Sequence, residues 1–155
     1  MLPIQPALYE ILSDDSGIAA IALGGVFPLK VPQALRTYPV LVFGRPTGES
    51  RERIKHLESR GYSGLTISVF HIVSIVQGYG MEAYTLSARL DAAVFQALQG
   101  YSGTVSQGSP AEEVWIDSIQ STNWMSEGYD EDRKETFITS EFAVAHSEPI
   151  PPVVV

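Results

Sequence analysis

The sequence predicts an α+β fold in which a mainly antiparallel sheet of about four strands packs against one long helix and short N-terminal helices. Three observations predict this fold. Several segments are rich in β-branched and aromatic residues, one segment has a sustained helical pattern, and 13 Gly and 10 Pro divide the chain into short elements. With 155 residues, 45% of them apolar, the chain fits one domain, which we assign to residues 1–146, followed by an extended C-terminal tail, 147–155.

Two short helices are expected at the N-terminus. Pro6 to Leu12 has apolar residues at helical spacing and a proline in the first turn, where a proline is tolerated. Asp14, Asp15 and Ser16 can cap a second helix through residues 18–23, and the glycine pair at 24–25 ends it. These helices offer an apolar face to a sheet.

Four segments read as the main strands. β-Branched and aromatic residues dominate 38–43 and 65–74, whereas 114–124 alternates imperfectly and 135–146 alternates well. In the last of these, Ile138, Phe142 and Val144 fall on one side and Thr139 and Glu141 on the other, which predicts an antiparallel sheet with one wet face. The acidic stretch 125–134 is expected to be a turn region.

A polar excursion, 46–64, connects the first two of these strands. Its nineteen residues are too many for a routine hairpin turn, and the excursion lacks an apolar face large enough to fold alone. We expect a long extended hairpin arm that becomes ordered against a partner.

The clearest helix is predicted over 81–99 and ends at Gly100. One apolar stripe faces a core. Its members are Leu86, Leu90, Ala93, Val94 and Ala97. A second stripe, formed by Tyr84, Ala88, Ala92 and Phe95, lies about 200° round the helix. A helix with two apolar faces is buried twice, either between two layers of its own domain or between its domain and a neighbour.

Charge is divided unevenly along the chain. The formal net charge is −8, yet residues 1–60 carry seven basic against six acidic side chains, and residues 61–155 carry three against twelve. This division has two interpretations, a solvated surface or two opposite patches that meet between subunits.

The sequence shows no catalytic or metal-binding constellation and calls for no cofactor. It has no cysteine, and His56, His71 and His146 lie too far apart to begin a recognised metal-ligand spacing. Phosphate-binding glycine motifs and a nucleophile elbow are absent from the sequence, and no apolar run approaches the roughly 18 residues of a membrane span. The acidic balance disfavours general nucleic-acid binding.

Several stretches, taken in order, resemble the tail-completion proteins of long-tailed bacteriophages, the tail terminator or tail-to-head joining family. They are a short helix ending near Gly24-Gly-Val-Phe-Pro28, then Thr37-Tyr-Pro-Val-Leu-Val-Phe43, a polar excursion, a second strand, a helix running into Ala97-Leu-Gln-Gly-Tyr-Ser-Gly-Thr104, and two last strands. The resemblance covers residues 5 to 146. The 46–64 excursion is unusually charged for the family, and the Pro/Val tail is longer than usual.

The resemblance implies a non-enzymatic virion protein, assembled in the host cytoplasm, whose ring of usually six subunits caps the tail tube and joins it to the head connector. Its partners would be other copies of itself, the major tail tube protein and a head-closure or connector protein, with DNA passing through the lumen without specific binding. Alternatives are another neck component, or a small ligand-binding or enzymatic α+β domain in which the excursion covers a site near His71 and Tyr79.

The subunit or tube interface is expected on charged and aromatic side chains. We predict contact between the basic arm and the acidic turn of the next subunit or the tube, together with the second stripe of the long helix. The residues are Arg51, Arg53, Lys55, Arg60, Tyr84, Phe95, Glu127, Asp130, Glu131 and Asp132.

Overall fold

In a computed structural model, residues 4–30, 37–45, 52–54, 62–107 and 112–149 are described. The chain order is α1 (Gln5–Asp14), α2 (Ser16–Ile21), β1 (Gly25–Pro28), β2 (Val40–Gly44), β3 (Glu52–Ile54), β4 (Tyr62–Gln77), α3 (Met81–Leu98), β5 (Gly103–Gln107), β6 (Glu112–Asp130) and β7 (Glu135–Pro149).

The helix ends follow local sequence signals. Pro6 stands in the first turn of α1, and Asp15 caps α2 by accepting a hydrogen bond from the Ile18 backbone N–H at 2.9 Å. Gly100, which follows α3, has a φ of 77°, a left-handed conformation that glycine adopts without steric cost. Asp15 is therefore confirmed as the cap of α2, although α2 ends at Ile21, before the predicted residue 23. Helix α3 ends at Leu98, within one residue of its predicted end.

The strands form one mixed sheet in the order β1-β2-β4-β7-β6-β5, and β3 also pairs with β4. Only β1 and β2 run parallel among these described pairs. The longest ladder joins β4 to β7, from Gln77 opposite Glu135 to Tyr62 opposite Pro149. This ladder forms the centre of the sheet.

All three helices cover one face of the sheet. Leu8 and Leu12 of α1 and Leu90 of α3 belong to the same buried cluster as Phe70 and Phe142 on the two central strands. On β2, alternate residues belong to two different clusters, which shows that its two faces have different neighbours. The main core therefore lies between the helices and the sheet.

The opposite face carries a smaller cluster. Val40 and Val42 are buried there against the half-buried Phe27, Val73 and Ile75. On β7, Ile138, Phe142 and Val144 are buried on the helix side, and Glu141, half-buried, points to the other side. The predicted two sides of the last strand are confirmed, but the face expected to be wet is partly covered, because Thr139 is buried there.

The α+β class is confirmed, but the predicted count of about four strands was wrong. Within the described ranges the sheet has seven strands, including β5, which pairs with the start of β6. The predicted acidic turn region was also too long, since β6 continues to Asp130. The alternation of Met125, Glu127 and Tyr129 is strand-like, and the density of acidic residues around it obscured that pattern.

Two other boundaries moved. The helical layer differs from one long helix with short companions, because α1 has ten residues and contributes to the core as α3 does. β7 extends to Pro149, three residues beyond the end predicted for the last strand at residue 146. Within the excursion 46–64, residues 52–54 pair with residues 65–67 of the same chain and form part of a hairpin; residues 46–51 and 55–61 lie outside the described part.

Candidate interaction surfaces

The two apolar stripes of α3 have different environments. The face toward the core carries Leu90 and Val94, which are fully buried, and Leu98 one turn further on. The buried face is rotated from the prediction, because Ala83 and Ser87 lie on it while Leu86 is only half-buried. The second stripe lies on the surface of the chain, where Tyr84 is 39% exposed and Phe95 47% exposed.

The C-terminal half of β6 lies beside the second stripe of α3. Glu127 pairs with Ile138 and Met125 pairs with Ser140, so both β6 residues point to the helix side of the sheet. The Glu127 carboxylate accepts a hydrogen bond from the Tyr84 hydroxyl, and this contact is the main cause of a raised pKa of Tyr84. The structure thus brings together two predicted interface residues, Tyr84 and Glu127.

A polar contact fixes the base of this surface. Ser140 on β7 donates a hydrogen bond to Asp91 Oδ1 of α3. Burial raises the pKa of Asp91, and the hydrogen bond from Ser140 opposes that shift. At the far end, the Tyr79 ring meets the Tyr129 ring edge to face, with 5.9 Å between centroids. Helix α3 and the β6–β7 hairpin therefore form one continuous surface, with exposed aromatic rings along it.

The acidic turn lies at one end of the β4–β7 ladder. Asp130 ends β6 opposite Glu135, and its Oδ1 accepts hydrogen bonds from the backbone N–H groups of Asp132 and Arg133. These contacts form an Asx turn that holds Glu131 and Asp132 exposed. The three predicted acidic interface residues of this turn are therefore brought together.

Strand β3, the described part of the basic arm, lies at the opposite end of this ladder. The backbone of Arg53 pairs with Thr66, eleven residues along β4 from Gln77, where the ladder meets Glu135. At about 3.4 Å per residue this separates the two regions by roughly 37 Å. Arg51, Lys55 and Arg60, and the side chain of Arg53, lie outside the described part. Strand β3 at least cannot reach the acidic turn of its own chain.

A polar cluster around His71, the histidine that the sequence analysis placed near a possible ligand site, lies on the helix-free face; its other members were not predicted. Nε2 of His71 is 2.8 Å from Glu141 Oε2, and Thr122 donates a hydrogen bond to Glu141 Oε1 at 2.7 Å. The Trp124 ring stacks on His71 with 4.6 Å between centroids. The bonds from Thr122 and His71 lower the pKa of Glu141.

The irregular segment of β6 explains this cluster. The β6–β7 register shifts between Ser121 and Met125, and Asn123 has a φ of 65°. Such a bulge re-aims side chains, and here it brings Trp124 onto His71. The Ser-Thr-Asn run before Trp124 was the available signal. Tyr79, the other residue of the predicted ligand site, packs instead against Tyr129.

The described residues contain no group of three or more His, Asp or Glu side chains arranged to hold a metal ion. Among the same residues, no helix is both long and apolar enough to cross a membrane. The surfaces described above therefore provide shape, aromatic rings and charge.

By its architecture, the molecule is an α+β domain with helices on one face of a mixed sheet that includes the long β6–β7 hairpin. No family model and no curated protein matches the chain. Among solved structures, the chain is similar to one in the "Virion of native gene transfer agent (GTA) particle". The two share 18% sequence identity and superpose with a TM-score of 0.66 over 94% of this chain and 95% of the other. This similarity establishes a shared fold.

Proposed function

We propose that this protein is a virion structural protein that forms a ring, of six subunits, at the end of a phage tail tube. The ring stops tube polymerisation and joins the tail to the head connector. The observation that carries this proposal is the fold shared, over nearly the whole of both chains, with a chain of a gene transfer agent virion. The order of sequence elements that resembles tail-completion proteins supports the same role.

The surface of the chain suits a closed ring. A cyclic ring needs two unlike patches on each subunit, because one surface meets a different surface on the next copy. Here strand β3 of the arm lies at one end of the β4–β7 ladder and the acidic turn at the other, with roughly 37 Å of paired strand between the backbones of Arg53 and Asp130. Because strand β3 is far from the acidic turn of its own chain, the proposed partner of the arm is the acidic turn of the next chain.

Two further features fit the role. The exposed stripe with Tyr84 and Phe95 supplies aromatic side chains of the kind enriched at protein interfaces. The net charge of −8 suits a bore through which DNA passes, because like charges repel its phosphates. We therefore assign Tyr84 and Phe95 to an interface with the next subunit or the tube, and no DNA-binding role to the chain.

Reversal of two arm charges tests the ring. Arg51→Glu combined with Arg53→Glu should reduce the fraction of rings in mass photometry and electron microscopy, because the arm would then repel the acidic turn. The matched control is Lys30→Glu with Arg89→Glu, which makes the same charge change at two exposed cations outside the arm. Equal ring fractions for the two double variants would contradict the contact, and a monomeric wild type would contradict the ring itself.

The position in the particle has its own test. Tail tubes polymerised with the wild-type protein present should stop at a defined length, with the ring visible at one end. A protein that instead binds only to the head connector and leaves tube length unchanged would be another neck component.

A further inference from the structure

An open groove runs between α1 and β1 at the edge of the sheet, away from the aromatic surface of α3. Its volume is ≈ 480 Å³ and most of its lining is apolar. The lining includes Pro6 and Tyr9 of α1, Val26, Phe27 and Pro28 of β1, and Phe43 on β2. Within the described part of the chain, β1 pairs only with β2, so the groove lies beside an open strand edge.

One polar atom in this groove lacks a partner. Oε1 of Gln5, which also lines the groove, is buried and has no hydrogen-bond partner within the part of the chain that the structure describes. A buried acceptor without a donor is costly, so the site favours an occupant that brings an N–H group. An extended peptide brings one at each residue other than proline.

We propose that the groove binds residues Ile150–Val155 of a second copy of this chain. This segment reads Ile-Pro-Pro-Val-Val-Val, and its prolines and β-branched residues favour the extended conformation that a groove beside a strand edge accepts. Its apolar side chains match the lining, and its three valine N–H groups are available to Gln5 or to the edge of β1.

The position of Pro149 requires a second copy. Phe43 in the groove pairs with Ile72, which pairs with Ser140 on β7. Pro149 lies nine residues beyond Ser140, or roughly 31 Å along the strand. Six extended residues span at most about 22 Å, so residues 150–155 cannot reach back to the groove of their own chain.

The inference rests on the proposed function, because a ring supplies the neighbouring groove at a fixed position. Each copy then donates one segment and receives one, which is the head-to-tail arrangement that a cyclic assembly uses. A connection of this kind would tie subunits together at a site separate from the charged ends.

Cysteine cross-linking tests the inference directly, since the chain has no cysteine of its own. Tyr9→Cys is introduced into one full-length chain and Val154→Cys into a second, tagged chain; the two are mixed and oxidised. A covalent product containing one chain of each kind is expected. The control replaces Tyr9→Cys with Met125→Cys, since the two native side chains are comparably exposed, at 41% and 55%, and Met125 lies on β6.

Each result decides the question. At least five times more mixed product with Tyr9→Cys than with Met125→Cys would support the inference. Two results would overturn it. One is equal yields from the two combinations of variants. The other comes from a single chain that carries both Tyr9→Cys and Val154→Cys: a disulfide that forms only within such chains. The mass of the unlinked wild type is measured in parallel: rings without the mixed product overturn the segment docking alone, and a monomeric wild type that still gives the product overturns the ring alone. A monomer without the product overturns both.

Discussion

Two neighbouring residues of α3, Val94 and Phe95, face opposite environments. Val94 is fully buried against the sheet, whereas Phe95 is 47% exposed on the second stripe. Both positions are apolar in sequence, so hydrophobicity alone does not separate them. Their difference shows that one side of the helix stabilises the fold while the other is available to a partner.

Introducing the same charged residue at each position is the strongest test of this difference. Val94→Asp places a carboxylate in the core, and we expect the free energy of unfolding to fall by more than about 4 kcal/mol. Urea titration followed by circular dichroism, or the loss of soluble protein, measures the change. A cooperative transition near that of the wild type would contradict the burial of this face.

Phe95→Asp should leave the fold intact, with a change in stability within about 1 kcal/mol, because surface substitutions usually have small effects. The same variant should lose most of its rings in electron microscopy, since a charge would replace an aromatic contact. Gln96→Asp, at the exposed neighbouring position, is the matched control and should assemble normally. Normal assembly of Phe95→Asp would show that the second stripe is ordinary solvated surface.

Acidification tests the polar cluster on the helix-free face of the sheet. Glu141 on the helix-free face has a lowered pKa, through Thr122 first and His71 second, so its folded pKa lies below the ordinary value of 4.5. Its contribution to stability is present above that ordinary value and is lost as the pH falls through the folded pKa. Glu141→Gln should therefore lose less stability than the wild type between pH 5 and pH 3. Glu131→Gln, in the exposed turn, serves as control, and an unchanged acid dependence in Glu141→Gln would refute the role of this cluster.

The smallest expected effect concerns Tyr84 at the edge of the second stripe. Glu127→Gln removes the carboxylate that raises the pKa of Tyr84, so one tyrosine should titrate at lower pH in the absorbance of the phenolate. Stability should change little, because both side chains are exposed and water screens their interaction. Tyr84→Phe identifies the shifted group. An identical titration of wild type and Glu127→Gln would contradict the contact.

Local signals predicted the Asp15 cap of α2, the extent of α3 and the two sides of the last strand, because each depends on a few adjacent residues. The course of β6 could not be predicted in the same way. Its alternation is broken by the bulge between Ser121 and Met125, and acidic residues conceal the strand beyond it.

The candidate surfaces were predicted in part. Helical spacing identified Tyr84 and Phe95 as a stripe apart from the core. It did not show whether that stripe is buried by another layer of the same domain. The contact between Tyr84 and Glu127 and the stacking of Trp124 on His71 depend on strand register, which pairs residues far apart in sequence. The charge division was visible from composition, whereas the distance between strand β3 and the acidic turn along the ladder required the sheet.

The β4–β7 ladder also limits how related chains can differ in height. Side chains alternate between the faces with a period of two, so inserting one residue in each strand would turn the core residues beyond it outward. Length can therefore change only in paired steps of two residues, each adding about 7 Å. The distance between strand β3 and the acidic turn would change by the same increments, and so would the thickness of an assembly whose axis follows the ladder.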